Sequence, residues 1–255
     1  MPTELHNDGE HRVFLYKDLV TGGGIQSNQF LVIHGEHTAL LDPGGALTYI
    51  PLSLAIGKMI NLRQLDYVIA SHQDPDIIAS LDRWLLYTDC RVAISRLWER
   101  FLPHLVPGYM VFKGDERIVP IPDEGMDIPL GDSPLRALPA HFLHSVGNFS
   151  FYDPISSILF SGDVGASTNE EVDEITEENF DPEALGMQGF HQRYMNSNRT
   201  CRFWVKMVRQ LGPEIMAPQH GAPLRGRKVI GMFLDWLEQL PCGVDLMEQR
   251  NYVLP

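Results

Sequence analysis

The chain has 255 residues, 44% of them hydrophobic, and a formal net charge of −13. That length supports one large domain or two small ones with a sizeable core. The acidity argues against nucleic acid and anionic membranes as partners, because both carry negative charge.

The three cysteines, Cys90, Cys201 and Cys242, are far apart and show no CxxC spacing, so they read as ordinary thiols of a reducing compartment. No signal-like segment precedes the first strand, and no apolar run approaches membrane-spanning length. The expectation is a soluble, cytoplasmic protein without internal repeats or low-complexity tracts.

In chain order, Arg12 to Tyr16 reads as a strand. Gly22-Gly23-Gly24 is a flexible turn; it lacks GxGxxG spacing and a following helix, so it is no nucleotide loop. Gln29 to His34 and Thr38 to Leu41 form a hairpin across Gly35-Glu36, with His34 and His37 as solvated turn residues. Leu41-Asp42-Pro43-Gly44-Gly45 ends the second strand, and a helix is expected from Thr48 to Ile60. The apolar run Tyr67-Val68-Ile69-Ala70 is a buried strand, and a helical stretch follows from Pro75 to Tyr87. Arg91 to Ile94 is a strand, and Ser95 caps the helix carrying Trp98 and Phe101. From Asp115 to Leu138 short strands alternate with Pro/Gly turns. Phe149 to Asp153 and Ser157 to Ser161 read as a second hairpin. Residues 164 to 195 are polar and rich in turn formers. Within them Glu170, Glu171, Asp173, Glu174, Glu177 and Glu178 form an acidic cluster. It is favoured as an exposed face or loop over a lid or docking element. Cys201 to Leu211 is an amphipathic helix, Glu214 to Ala217 a short strand, and a last helix runs from about Gly226 to Leu240.

Candidate ligands collect at strand ends. Ser71-His72-Gln73-Asp74-Pro75-Asp76-Ile77 follows the buried strand and enters a helix, the edge where α/β sheets gather ligands. Neutral imidazole with carboxylates suits a first-row divalent or trivalent metal. A helix start explains the same residues: Asp74 as N-cap, Pro75 at the first helical position, Asp76 near the positive end of the dipole. Three later turns each follow a strand: His144 in Ala140-His141-Phe142-Leu143-His144-Ser145, Asp163 in Ser161-Gly162-Asp163-Val164, and His220 in Pro218-Gln219-His220-Gly221. Singly, each reads as a structural histidine or a Gly-Asp turn. Together, four strand ends deliver three His and three Asp. Strands followed by helices, repeated in two halves, point to an α/β/β/α sandwich of two mixed sheets with outer helices, spanning 1–255 as a single domain.

With the leader Leu41-Asp42-Pro43-Gly44-Gly45 and these turns in this order, the chain resembles the metallo-β-lactamase superfamily from about Arg12 to Leu240. The superfamily's hydrolases share an HxHxDH turn. Here Asp74 stands where the second His would be and Ile77 where the last would be, and Ile77 cannot bind a metal. The variant H-x-[E/D]-x-D resembles the β-lactamase-like domain of flavodiiron proteins, which bind two irons and reduce O2 or NO. Glu is usual there; Asp74 is one methylene shorter.

The resemblance implies that one iron takes His72, Asp74 and His144, that the other takes Asp76 and His220, and that Asp163 bridges them. Three carboxylates leave about +1 on two ferrous ions and about +3 on two ferric ions. Hard anionic oxygens favour the ferric state, and peroxide offsets the remaining charge; zinc hydrolases prefer more imidazole. Near Tyr194 the family has an outer-sphere Tyr that hydrogen-bonds an oxygen ligand of the irons; a partly buried packing role for Tyr194 is the alternative. His141 suits a supporting role for a ligand turn, and Asp42 either holds a ligand loop or is a plain Asp-Pro-Gly turn.

A flavodiiron protein carries a flavodoxin-like domain after this one. No such βα units follow here, so the expectation is no flavin in this chain and a likeness to single-domain oxygen-binding diiron proteins, some linked with chemotaxis signalling. That implies O2 held as a diferric peroxide or at an oxo-bridged centre, in a sensor or carrier working with a chemotaxis signalling protein. The competing readings are an O2 or NO reductase fed by an external electron donor, and a dinuclear metallo-hydrolase, against which Asp74 and Ile77 argue. A homodimer is expected.

Overall fold

The computed structural model describes residues 2–106, 116–169 and 171–254. Asp115, Glu170 and Pro255, each part of a sequence expectation, lie outside the described residues. Two mixed sheets form, one of seven strands and one of six. The seven run in chain order: β1 (Thr3–Asn7), β2 (His11–Tyr16), β3 (Gln29–His34), β4 (His37–Leu41), β5 (Tyr67–Ile69), β6 (Arg91–Ser95) and β7 (Ile118–Ile121). Pairing is antiparallel as far as β4 and parallel from β4 to β7. The expected hairpin closes with His34 opposite His37. β1 was not legible: in Thr-Glu-Leu-His-Asn only Leu5 is buried, too little apolar pattern to read. The strands β4 to β6 are almost wholly buried, as parallel strands covered on both faces must be.

The helices of this half are shorter than their apolar patterns suggest. α1 (Tyr49–Ile56) stops at Gly57 instead of reaching Ile60. The stretch from Pro75 to Tyr87 is two helices, α2 (Pro75–Ile78) and α3 (Leu81–Tyr87). They part at Ser80 for a tertiary reason. Its buried hydroxyl reaches the Gly44 carbonyl at 2.5 Å and accepts from Trp84 Nε1 at 3.1 Å. Ser95 does cap α4 (Arg96–Glu99), accepting from the Leu97 N–H, but Phe101 begins a separate turn, α5 (Leu102–Leu105). Phe14, Leu31, Leu40, Val68, Ile77, Leu81 and Trp84 belong to one buried cluster. Burying each such side chain contributes roughly 1.5–3 kcal/mol.

The other sheet contains β8 (Met126–Leu130), β9 (Ser133–Pro139), β10 (Phe149–Asp153), β11 (Ile158–Gly162), β12 (Ile215–Pro218) and β13 (Leu224–Arg225). β8, β9 and β10 pair antiparallel; β11 and β12 pair parallel. Two helices follow β11, α6 (Met187–Tyr194) and α7 (Asn198–Leu211), and α8 (Arg227–Gln239) follows β13. α6 lies within 164–195, where the sequence shows polar residues and turn formers and no helix is assigned. It starts after Gly186 in a left-handed conformation (φ 70°), with no side-chain cap to announce it.

Contacts group the chain into two compact units, Met1–Pro139 with Phe149–Ser156, and Ala140–Asn148 with Ser157–Pro255. The three cysteines are free and buried. Among the described residues no helix is long and apolar enough to cross a membrane.

Two features of the first unit position its metal-ligand candidates or hold its sheets. Gly45 packs on the entry to α2: a Cβ there would lie 2.8 Å from the Pro75 carbonyl oxygen and 3.1 Å from Asp76 Cα. Asp153, 1% exposed, accepts from His11 Nε2 at 2.6 Å and from the Ser156 hydroxyl. Burial raises the Asp153 carboxyl, but the hydrogen bonds from His11 and Ser156 outweigh it and leave the group below its ordinary 3.8.

Gly45→Ala is expected to cost roughly 1–3 kcal/mol in denaturant unfolding, because the clash is with backbone. A change within experimental error would show that the turn yields freely. Asp153 stabilises the fold when ionised, so its support is complete above about pH 4 and fades as the pH falls through its lower folded-state value. Asp153→Ala should therefore cost roughly 3–5 kcal/mol at neutral pH, and its stability should fall less steeply on acidification than that of wild type. Parallel pH curves would contradict this.

Candidate metal centre

In the first unit the chain leaves β5 through Ala70, whose N–H bonds the Ala93 carbonyl at 3.0 Å. The next residue, Ser71, donates its N–H to Asp42 Oδ1 at 2.8 Å, and Asp42 donates its own N–H to the Ile69 carbonyl at 2.8 Å. Asp42 sits in the left-handed region (φ 52°), which Asp tolerates better than most residues. The leader Asp therefore does hold the ligand loop through backbone bonds. The Ser71 hydroxyl lies 3.0 Å from His72 Nδ1. That leaves Nε2 as the ligand-facing nitrogen of a ring that is 1% exposed.

Asp74 Oδ2 lies 3.7 Å from His72 Nε2. Asp74 occupies the N-cap position of α2, yet its side chain makes no cap hydrogen bond. The helix-start explanation thus accounts for the Asp74 backbone and not for its carboxylate. Gln73 Nε2 donates to Asp74 Oδ1 at 3.2 Å. Asp76 is half-buried in the first turn of α2.

In the second unit His144 lies in a tight turn. The Ala140 N–H bonds the Asn148 carbonyl and the Leu143 N–H bonds the Ala140 carbonyl, both at 3.0 Å. Asn148 completes the turn with its side chain, accepting from the Ser145 N–H and donating to the Leu143 carbonyl. Phe142 is held at φ 67°, a conformation uncommon for an aromatic residue that persists only where its surroundings fix it. His141 is half-buried in the same turn.

Asp163 follows β11 and His220 follows β12. These strands are parallel neighbours, with Gly162 opposite Pro218. The Gln219 N–H bonds the Gly162 carbonyl at 2.8 Å, and the Ser167 N–H bonds the His220 carbonyl at 3.2 Å, so the two turns are stitched together. Gly221 is required there: a Cβ would fall 1.9 Å from Ser167 Oγ, and φ is 80°.

The buried Asp163 carboxylate then faces two imidazoles. Its Oδ2 lies 2.8 Å from His144 Nε2 and its Oδ1 lies 3.7 Å from His220 Nε2. One oxygen toward each histidine is the disposition from which a carboxylate can bridge two cations. Tyr194, 52% exposed, sets its ring 5.5 Å from that of His144 and stacks on Phe190 at 4.8 Å.

The structure therefore brings His72 and Asp74 together in the first unit, with Asp76 on the same turn, and His144, Asp163, His220 and Tyr194 together in the second. The supporting residues Ser71 and Asn148 were not singled out in the sequence. Both carried a usable signal, since each is a hydrogen-bonding residue inside a ligand turn.

The family profile of the ODP family beta lactamase matches residues 25–221. The chain is similar to the peroxy diiron species of chemotaxis sensor ODP, with 36% identity, 99% of each chain covered and a TM-score of 0.85. It is equally similar in sequence to the apo state of chemotaxis sensor ODP from T. denticola, at 36% identity, 99% coverage of each chain and a TM-score of 0.82. The rubredoxin oxygen:oxidoreductase of Desulfovibrio gigas shares the fold, at 17% identity and a TM-score of 0.76 over 94% of this chain and 61% of that one. Among curated proteins, the chain is 27% identical over 202 residues to Uncharacterized protein MJ0732 of Methanocaldococcus jannaschii, covering 78% of this chain. The chain spans 22–49% of the length of the curated relatives it matches. The two mixed sheets with their helices are those of the metallo-β-lactamase-like sandwich of flavodiiron cores. On this match of profile and fold, the chain belongs to the ODP family of β-lactamase-like proteins.

Proposed function

We propose that this protein is a non-haem diiron protein that binds O2 as a sensor coupled to chemotaxis signalling. The observation that carries the reading is Asp163, a buried carboxylate that turns one oxygen to His144 and the other to His220. Likeness over the whole chain to a chemotaxis sensor with a peroxy diiron species supports it. In this reading His72, Asp74 and His144 hold one iron, Asp76 and His220 hold the other, and Asp163 bridges them.

The residues fit the group. Each side chain offers an imidazole nitrogen or a carboxylate oxygen, a donor set that suits iron. In the first unit the Ser71 hydroxyl at Nδ1 orients the His72 ring, the kind of outer partner that fixes a ligand's tautomer. Two ferrous ions held by these residues would supply the electrons for O2 chemistry. Tyr194 is placed beside His144 with its ring half exposed, and its phenol is a hydrogen-bond donor available to an oxygen ligand. The reading takes the chain as one cytoplasmic domain working as a homodimer, with its signalling partner outside the chain.

Iron near two per chain is expected in protein purified without added metal, and zinc in its place would favour a hydrolase. Asp163→Ala should lose most of the second iron, whereas replacing Gln73 should spare both; two retained irons with an unchanged spectrum in Asp163→Ala would remove the bridge assignment. After anaerobic reduction, exposure to O2 should give a visible charge-transfer band that lasts minutes or longer, and Tyr194→Phe should shorten its life. Rapid repeated O2 consumption without a coloured species would replace the sensor by a reductase.

A further inference from the structure

His191 is fully buried, three residues before Tyr194 on α6, and both of its ring nitrogens are committed to backbone. Nε2 accepts the Gly165 N–H at 2.9 Å. Nδ1 must then carry the ring proton, which it donates to the Met187 carbonyl at 2.7 Å. Burial pushes the imidazole down to about 4, so the ring stays neutral and keeps that tautomer at ordinary pH. Phe190, Phe233 and Trp236 surround it edge-on, with centroids 5.5, 5.9 and 5.2 Å away. A buried histidine near candidate ligands invites assignment as a ligand itself, but neither nitrogen is left to bind a metal.

What the ring does hold is the turn of Asp163. Gly165 lies two residues after Asp163 at φ 96°, where a Cβ would meet Met216 Cε at 2.7 Å. The turn's own bonds run from Ser161 Oγ to the Val164 carbonyl at 2.6 Å and from the Ala166 N–H to the Asp163 carbonyl at 3.0 Å. The bonds to Gly162 and from Ser167 tie this turn to that of His220, and the Gly165 N–H is the point at which α6 grips it. The same segment touches the other ligand turn twice. Tyr194 packs on the His144 ring, and the Asn196 N–H bonds the Phe142 carbonyl at 3.1 Å.

We infer that His191 is a positioning residue for the Asp163 carboxylate, and that residues 187–196 form a clamp setting the Asp163 and His144 turns relative to each other. The inference rests on the reading of Asp163 and His144 as iron ligands. A space-filling histidine would matter only through stability, whereas a positioning histidine governs the Gly165 bond and, through it, iron.

The test compares wild type with His191→Phe, His191→Gln and Trp236→Phe, the last perturbing the same packing without touching the Gly165 bond. Hydrogen exchange of the metal-free proteins reads the Gly165 amide, thermal melting reads stability, and anaerobic titration with ferrous ion reads affinity. Loss of an outer partner weakens a metal site by roughly 10- to 100-fold, and His191→Phe should fall in that range with a deprotected Gly165 amide. His191→Gln, which offers an amide oxygen as acceptor, should lie between it and wild type. Trp236→Phe should keep its iron affinity even where its melting temperature drops. Iron affinity that follows Gly165 protection across the folded variants supports the inference; affinity that follows melting temperature overturns it, with or without His191→Phe in the set. Wild type that binds no iron overturns the iron reading itself, and the inference with it.

Discussion

A carboxylate as buried as Asp163 must find partners or lose its charge, because desolvating an unpaired ion costs several kcal/mol. His144 meets one of its oxygens at 2.8 Å, and His220, from a separate turn, faces the other at 3.7 Å. The surrounding backbone is arranged to deliver them. Parallel pairing of β11 and β12 sets Gly162 beside Pro218, so Asp163 and His220 leave neighbouring strands one and two residues later. The bonds from Gln219 to Gly162 and from Ser167 to His220 fix the separation of the turns. Left-handed glycines at 162, 165 and 221 let the chain bend sharply enough to do so.

The first unit reaches a similar result by one side chain. β4 and β5 are parallel, with Leu41 opposite Ile69, so Asp42 emerges next to the start of the ligand turn. Its N–H reaches back to Ile69 and its carboxylate reaches forward to Ser71. Gly44 and Gly45 keep the leader thin where Thr48 and the Pro75 carbonyl press on it. His72 is thereby placed by a carboxylate that is itself no ligand candidate. The Asp-Pro-Gly-Gly leader is a positioning device in addition to a turn.

What was legible in the sequence follows from range. The strand ends expected at Ala70, Ser161 and Ala217 fall within a residue of those observed, because short apolar runs bounded by turn residues are a local signal. The six ligand candidates were readable because each sits just beyond such a run. The break at Ser80 was not, because it depends on carbonyls of residues 43 and 44, far away in sequence. α6 was not, because Gly186 gives no side-chain cap and Gly189 is a poor helix former in its first turn. His191 could not be recognised from residue type at all. Its role comes from complete burial and from two backbone groups brought to it by the fold.

The acidic run shows how composition alone misleads about cause. Its charges suggest a solvated stretch held, if at all, by ion pairs, and pairs do occur: Glu174 with Arg225 at 2.5 Å, and Glu177 with Lys228. These are surface pairs, and such pairs are worth about 0–1 kcal/mol each. Between them Ile175 is wholly buried, and its N–H and carbonyl bond Pro223 and Arg225 in a bridge to Leu224. Burying one Ile contributes roughly 1.5–3 kcal/mol, against about 0–2 kcal/mol for the two pairs together. The segment is thus anchored by Ile175 in its middle. The described carboxylates of the run, from Glu171 to Glu178, occupy positions around that anchor open to water, where their mutual repulsion is screened.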